Sequence, residues 1–251
     1  MSRILITGSA DGLGALAARD LQTRGHKVYL HARSAQRAKD AMASCPGAQQ
    51  CLIADLSSLS DVKTLASDLK SLGPWDAIVH SAGVMHGQSG KTTAESWGTI
   101  FATNTVAPYV ITSIVGGACR RYVFLSSSME SSGDPMLRGI ESCSYSDSKL
   151  HNIMLASYFA RVLKGAGVEE SNALDPGWVP TAMGGRGAPG SLDGAVETYR
   201  RLAEGAGSTG GFWRPYAKKG SPVHGKEAFD EGVQGRLVGE LARLTGVELA
   251  G

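Results

Sequence analysis

Tyr145 and Lys149 stand four residues apart in Tyr145-Ser146-Asp147-Ser148-Lys149, where a helical pattern opens. Residues at that spacing share one helix face, so a phenol and an ammonium become neighbours. An ammonium beside a phenol favours the phenolate and lowers its pKa. Such a tyrosine gives a proton to a substrate oxygen, or takes one, near neutral pH. In a chain with seven tyrosines the spacing alone is common, and its surroundings carry the reading. A strand-like run over 121–126 ends in Ser126-Ser127-Ser128. Asn104 lies inside another helical pattern, in Phe101-Ala102-Thr103-Asn104-Thr105, where asparagine is a mediocre helix former. Asp175-Pro176-Gly177-Trp178-Val179-Pro180-Thr181 follows a further strand near 171–174.

A second constellation lies at the N-terminus. Thr7-Gly8-Ser9-Ala10-Asp11-Gly12-Leu13-Gly14 joins a strand-like run to an amphipathic helix. Glycines there let the chain turn sharply and approach a pyrophosphate, and the helix N-terminus offers N–H groups to the anion. Glycine makes up 33 of the 251 residues, so the triplet counts for its position more than for its spacing. The next strand reads Val28-Tyr29-Leu30-His31-Ala32-Arg33-Ser34. Ala32 takes the place where a site for NAD usually has an acid to bind the ribose 2′-OH. Arg33 beside it suits a 2′-phosphate, since a guanidinium pairs bidentately with phosphate oxygens. The expected cofactor is NADP(H) in preference to NAD(H).

The elements that position these residues alternate along the chain. Strands are expected at 3–7, 27–31, 50–54, 76–80, 121–126 and 171–174, with a short one at 211–214. Helices are expected at 12–24, 35–44, from Ser57 or Ser58 to 71, and at 93–115, 145–164, 193–204 and 227–245. Strands joined by single helices give right-handed crossovers and a parallel sheet covered on both faces. The fold class is α/β: a doubly wound, Rossmann-like sheet of about seven strands in a single domain, 1–251. Glycines at 177, 184, 185, 187 and 190 loosen one region, read as a flexible substrate lid over about 180–215. Twenty-five basic and 23 acidic residues leave a formal net charge of +2, which gives no warrant for nucleic-acid binding. No run approaches 18 consecutive apolar residues, and no signal peptide opens the chain, so no membrane span is expected. Cys45, Cys51, Cys119 and Cys143 form no CxxC pair and read as reduced thiols of a cytoplasmic protein. No metal site is expected.

Taken in order, these motifs resemble the short-chain dehydrogenase/reductase family over nearly the whole chain. The TGxxxGxG turn of that family matches Thr7, Gly8, Gly12 and Gly14. Its active-site asparagine matches Asn104, its YxxxK matches Tyr145 and Lys149, and its PGxVxT matches Gly177, Val179 and Thr181. Its strand-end serine matches best at Ser127, with Ser126 and Ser128 still open to a shift in register. Two departures stand out. The family's Asn-Asn-Ala-Gly is His80-Ser81-Ala82-Gly83 here, and the loop from Ser127 to Tyr145 is longer than in many relatives. That loop and the C-terminal tail are similar to the branch holding retinol dehydrogenases and protochlorophyllide reductases.

The resemblance implies a catalytic set of Asn104, Ser127, Tyr145 and Lys149. Tyr145 would exchange the proton, Lys149 would also bind the nicotinamide ribose, Ser127 would hold the substrate oxygen, and Asn104 would hold a water linking Lys149 to solvent. It implies cofactor contacts at Gly8, Ser9, Asp11, Gly12, Leu13, Gly14, Arg33, Ser34, Asp55, Leu56, Ala82, Gly83, Asn104, Tyr145, Lys149, Pro176, Gly177, Val179 and Thr181. Residues 84–87, 129–144 and 180–216 should border the nicotinamide. With Met85, Met129, Met136, Trp178, Met183, Trp213 and Tyr216, they favour a small apolar or aromatic carbonyl or alcohol substrate, with His86 a candidate polar contact. Arg138, Arg186 and Arg214 offer charge for an anionic substrate, with solvated surface the preferred reading of each. The leading expectation is an NADPH-dependent oxidoreductase acting on a ketone or aldehyde. The alternatives are an imine or activated C=C reductase on the same fold, and a non-catalytic NADP(H)-binding sensor. A homodimer or homotetramer is in keeping with the family, and so is the monomer found in the branch that the tail resembles.

Overall fold

The computed structural model describes residues 1–85, 91–215 and 226–249. Strands β1 (Arg3–Ile6), β2 (Lys27–Ala32), β3 (Gln50–Ile53), β4 (Ala77–His80), β5 (Arg121–Leu125), β6 (Glu170–Leu174) and β7 (Phe212–Trp213) form one sheet. All neighbours are parallel, in the order β3-β2-β1-β4-β5-β6-β7. The chain builds outward from β1 in one direction and from β4 in the other. The crevice between their carboxyl ends is where an open α/β sheet binds ligands.

Alternation along each strand sends side chains to two cores. Leu5, Ile78, Tyr122, Phe124, Ala173 and Phe212 face one; Ile4, Ile6, Ala77, Val79, Val123, Leu174 and Trp213 face the other. The first core is covered by α3 (Leu59–Leu72), α5 (Ala107–Val115), α6 (Tyr145–Val162) and α8 (Glu231–Thr245). The second is covered by α1 (Gly12–Thr23), α2 (Ala35–Ser44) and α7 (Leu192–Glu204). Short polar side chains start most of these helices by accepting a first-turn N–H: Ser34 for α2, Ser58 for α3, Ser144 for α6, Ser191 for α7 and Asp230 for α8. The stretch expected as a lid contains α7 and β7, and β7 is a strand of the sheet.

The helix expected over 93–115 begins later. Thr92 bridges Gly98 in antiparallel fashion, and Ser96 has φ of 64°. A left-handed residue cannot continue a right-handed helix, so helical structure starts only with the single turn α4 (Thr99–Phe101). Ala102–Val106 then forms a π-helical segment before α5. The stretch Thr99–Ala118 is long and apolar enough to cross a membrane by length and composition, and 83% of its most apolar window is buried inside the fold.

Phe159 of α6 stacks on Phe124 at 6.1 Å and is fully buried. Phe159→Ala should lower unfolding free energy by about 3–5 kcal/mol in urea titration. Ile53→Ala, on the half-exposed edge strand β3, should stay within about 0.5 kcal/mol of the parent.

Candidate active site

The glycine turn after β1 is shaped by close approach. Gly8 has φ of 65°, and a Cβ on it would lie 2.7 Å from the Cα of Ala82 beyond β4. A Cβ on Gly14 would lie 2.7 Å from the carbonyl oxygen of Gly8. Only glycine lets α1 sit this close to the turn. Gly12 has φ of 57°. Asp11, at the N-cap of α1, makes no side-chain cap bond, so the first N–H groups of the helix stay free for another acceptor. Its carboxylate pairs with Arg37 instead. Thr7 closes the switch point by accepting the Ala82 N–H at 3.1 Å.

His31 supports this turn from β2. Its Nδ1 accepts the Gly8 N–H at 3.1 Å, and its Nε2 donates to the Ala54 carbonyl at 3.1 Å. Burial pushes the imidazole down to about 4, so it stays neutral and can do both. The Ser9 hydroxyl accepts the His31 N–H at 3.0 Å and is buried. Arg33 and Ser34 are exposed at the end of β2. Arg33 makes no ion pair among the described residues. Asp55 accepts from the Ser57 N–H and hydroxyl at 2.9 and 2.8 Å, and Leu56 is buried beside it.

The altered segment after β4 is rewired. His80 bonds Thr112 at 2.9 Å, and Ser81 bonds Tyr199 of α7 at 2.9 Å. A Cβ on Gly83 would come within 3.5 Å of both Asn104 Oδ1 and Lys149 Nζ. Asn104 is fully buried in the π segment. Its Oδ1 accepts the Val84 N–H at 2.8 Å, and its Nδ2 donates to the Val84 carbonyl at 3.0 Å and to Ser148 Oγ at 3.1 Å. A π-helical turn inside an α-helix commonly marks a functional site, and here it carries this amide.

α6 begins at Tyr145 because Ser144 and Asp147 form a capping box. Asp147 also accepts the Asp134 N–H at 2.7 Å, tying the long loop to the helix start. Of the three serines after β5, Ser126 is buried and donates to the Lys149 carbonyl at 2.8 Å. Ser128 is exposed. Ser127 is half-buried, its Oγ accepts the Met129 N–H at 3.2 Å, and it acts on the Tyr145 hydroxyl, as expected of the substrate-oxygen serine. Lys149 is buried, donates to the Leu125 carbonyl at 2.9 Å, and sits 5.1 Å from the centre of the Tyr145 ring.

Two electrostatic findings differ from expectation. The Tyr145 phenol is not lowered: burial and the nearby Asp175 carboxylate push it up to about 12, against a smaller opposing effect of Ser127. The ammonium lies over the ring face, where it acts little on the hydroxyl proton. Burial also pushes Lys149 down to about 8, and Asp175 resists that fall.

The rest of the rim divides. Val179 is buried, while Thr181 accepts the Gly184 N–H at 3.2 Å. The Asp175 carboxylate accepts the Gly177 N–H at 2.8 Å and so shapes the turn through Pro176. Met129, Met136, Trp178 and Met183 are exposed, and Met183 Sδ lies 4.0 Å from the Tyr145 hydroxyl. Trp213 belongs to the second core instead of the rim, because β7 is covered on both faces. Arg138 is exposed and paired with Asp134, and Arg186 is exposed. Arg214 departs from expectation: only 27% of its side chain is exposed, and it pairs with Asp175. His86 and Tyr216 lie outside the described residues. Sequence reasoning overlooked the roles of His31, Arg37, Ser148 and Asp175. A signal existed for Asp175 alone, as an acid directly after the apolar-patterned end of a buried strand.

A family model described as short chain dehydrogenase matches residues 2–189. The chain is 42% identical over 210 residues to an uncharacterized oxidoreductase of Emericella nidulans, covering 82% of each. It is 36% identical over 263 aligned residues to a short-chain dehydrogenase of Penicillium rubens, covering 99% of each. Mouse retinol dehydrogenase 14 is 29% identical over 72% of this chain and 62% of that protein. An uncharacterized protein from Mycobacterium paratuberculosis superposes with a TM-score of 0.82 at 23% identity, covering 100% of this chain and 95% of that one. A short chain dehydrogenase from Burkholderia cenocepacia in complex with NADP gives 0.69 at 21% identity, covering 85% and 95%.

The buried ammonium has a thermodynamic signature. Lys149 binds its proton less tightly when folded, near 8, than at its ordinary 10.5. That disfavours folding fully below pH 8, and the penalty fades as pH rises towards 10.5. Lys149→Met should therefore stabilise the fold at pH 7 by on the order of 2–3 kcal/mol. The gain should be lost by about pH 10.5, as read by urea unfolding across pH.

Proposed function

The chain belongs to the short-chain dehydrogenase family, and from that premise we propose that it is an NADPH-dependent reductase of small apolar or aromatic ketones or aldehydes. The observation that carries the reading is the convergence of Ser127, Tyr145 and Lys149 beside the glycine cradle between β1 and β4.

The residues present fit a dinucleotide. A Cβ at Gly8 would fill the cradle, and the uncapped first turn of α1 offers its N–H groups to a pyrophosphate. Arg33, exposed without an ion pair, would meet a 2′-phosphate, with Ser34 beside it. Asp55 and Leu56 would border the adenine. Ala82, Gly83, Asn104, Tyr145 and Lys149 would line the ribose side. Pro176, Gly177, Val179 and Thr181 would border the carboxamide. The nicotinamide, when bound, supplies the hydride. The NADP complex of the Burkholderia protein supports the choice for this fold.

The chain's own residues account for the rest. Ser127 and Tyr145 act on each other at the same carboxyl edge, and a carbonyl oxygen placed between their hydroxyls would accept from both. Tyr145, held protonated by burial, gives its proton to that oxygen as negative charge grows there. The Lys149 ammonium lies 5.1 Å from the centre of the ring of the tyrosinate that remains. Exposed Met129, Met136, Trp178 and Met183 supply an apolar mouth for the substrate. The four unpaired thiols are in keeping with a reducing, cytoplasmic setting.

Nucleotide fluorescence titration should show NADPH bound more tightly than NADH. Arg33→Ala should erase about tenfold to a hundredfold of that preference. Equal binding of both nucleotides by the parent would remove the NADPH assignment. Tyr145→Phe should lower kcat by about 10²–10⁴ with NADPH affinity retained. Near-full activity of that variant would instead favour an imine or activated C=C reductase.

A further inference from the structure

The glycine turn is gripped from both strands that flank β1. On the β4 side, Thr7 donates its N–H to the Val79 carbonyl at 2.9 Å, and its hydroxyl accepts the Ala82 N–H at 3.1 Å. On the β2 side the grip is one residue, the buried His31. Its backbone N–H donates to Ser9 Oγ at 3.0 Å, and its ring accepts the Gly8 N–H at 3.1 Å. Two adjacent residues of the turn thus hang on one residue of the neighbouring strand. The bond to Ser9 comes from the backbone and survives any substitution of His31 other than proline, so the bond to Gly8 is what the side chain itself contributes.

The two ring nitrogens have opposite duties. The Ala54 carbonyl can only accept, so Nε2, 3.1 Å from it, carries the ring proton. A neutral imidazole has one such proton, and Nδ1 is therefore left bare to accept from Gly8. What this bond controls is the peptide between Thr7 and Gly8. Gly8 stands at φ of 65°, and a Cβ on Gly14 would lie 2.7 Å from its carbonyl oxygen, so the Gly8 backbone packs directly on the first turn of α1. Turning Gly8 out of that conformation would shift its carbonyl against Gly14 and disturb the start of α1. Without an acceptor, the part-buried Gly8 N–H would have to turn in that way to find water. Because it faces the imidazole, this N–H is not among those that the start of α1 leaves for an anion.

We propose that His31 is a positioning residue for the dinucleotide: its bare Nδ1 holds the Gly8 peptide, and through it the start of α1, in the form that receives the pyrophosphate. The dinucleotide belongs to the reductase reading, on which this part rests, whereas the grip of the imidazole on the turn does not depend on it. The pyrophosphate is common to NADPH and NADH, so His31 acts on both alike. Arg33 acts only through the 2′-phosphate, and the two residues are thereby separable.

The test uses the whole protein labelled with ¹⁵N. At neutral pH the His31 ring should show a bare Nδ1 and a protonated Nε2, with scalar coupling across the hydrogen bond between Nδ1 and the Gly8 amide nitrogen. That coupling should persist when NADPH saturates the protein. A protonated Nδ1, or a coupling that vanishes on NADPH binding, overturns the proposal. Two variants then separate the ring's two bonds. His31→Asn puts an amide oxygen at the place of Nδ1 and keeps an acceptor for Gly8. His31→Gln carries its amide out to the place of Nε2 and loses that acceptor. Fluorescence titration should find both nucleotides bound about tenfold more weakly by His31→Gln, with the preference between them unchanged. His31→Asn should stay within about threefold of the parent for both. A side chain that merely filled space would give equal losses in the two variants, and that result overturns the proposal, as does a loss confined to NADPH. If either variant fails to fold, the coupling in the NADPH-bound parent decides. Should the parent bind neither nucleotide, the reductase reading fails on its own, and the coupling in the ligand-free protein still judges the grip of His31 on the turn.

Discussion

A positive charge held out of water organises the carboxyl edge of this sheet. Lys149 sits where an ammonium would ordinarily shed its proton, with Leu125 offering the one hydrogen-bond acceptor that its Nζ reaches among the described residues. Keeping it there requires a rigid surrounding. Ser126 bonds the Lys149 backbone, Asn152 shares the Leu125 carbonyl at 2.9 Å, and the stacked aromatics Phe124 and Phe159 close the core beneath. These are packing and hydrogen-bonding devices shared between the end of β5 and α6. The placement of one side chain therefore depends on β5, α6 and the core between them being right at once.

The same logic runs through the other half of the crevice. The glycine turn has no side chain to hold its shape, so its shape is imposed from outside. Ala82 limits it from β4, and His31 and Ser9 fasten it to β2. Thr7 and Ala82 join the two central strands where their connections diverge. Polar groups in this region are consumed by structure before any ligand is considered, which is how a buried backbone turn stays satisfied. What remains unspent is informative: the first N–H groups of α1 and the Arg33 guanidinium.

Helix starts do much of the aiming. The capping box at Ser144 and Asp147 places Tyr145 in the first turn of α6, and Asp147 also reaches back to Asp134. The long loop after Ser127 is thus tied, through Asp134, to the first turn of the helix that carries Tyr145. The π segment serves Asn104 in the same way. One extra residue in the turn lets a short amide bond both Val84 backbone groups and Ser148 of the neighbouring helix. A site built this way is stiff where it must orient a proton and apolar where a substrate would enter.

Local pattern was enough for much of this. Period-two strands, helical spacing and capping serines located the seven strands and the main helices. The glycine turn, the Tyr145–Lys149 pair and the matching of Ser127 followed from order along the chain. The exception at 93–98 turned on a left-handed backbone at Ser96, which no residue type there announces. Other matters belonged to the tertiary structure because they depend on distance between segments remote in sequence. That Ser126 is structural and Ser127 faces Tyr145 is a matter of strand twist and helix placement. That the phenol stands near 12 instead of below its ordinary value reflects burial and a carboxylate thirty residues away. Arg214 reads as one more surface cation until β7 is laid beside β6 and brings it to Asp175. Sequence by itself determined which groups are present and which element carries each, because those follow from short-range periodicity and capping. Only the fold decided their charge states and partners, because desolvation and Coulomb interactions depend on what the rest of the chain packs around them.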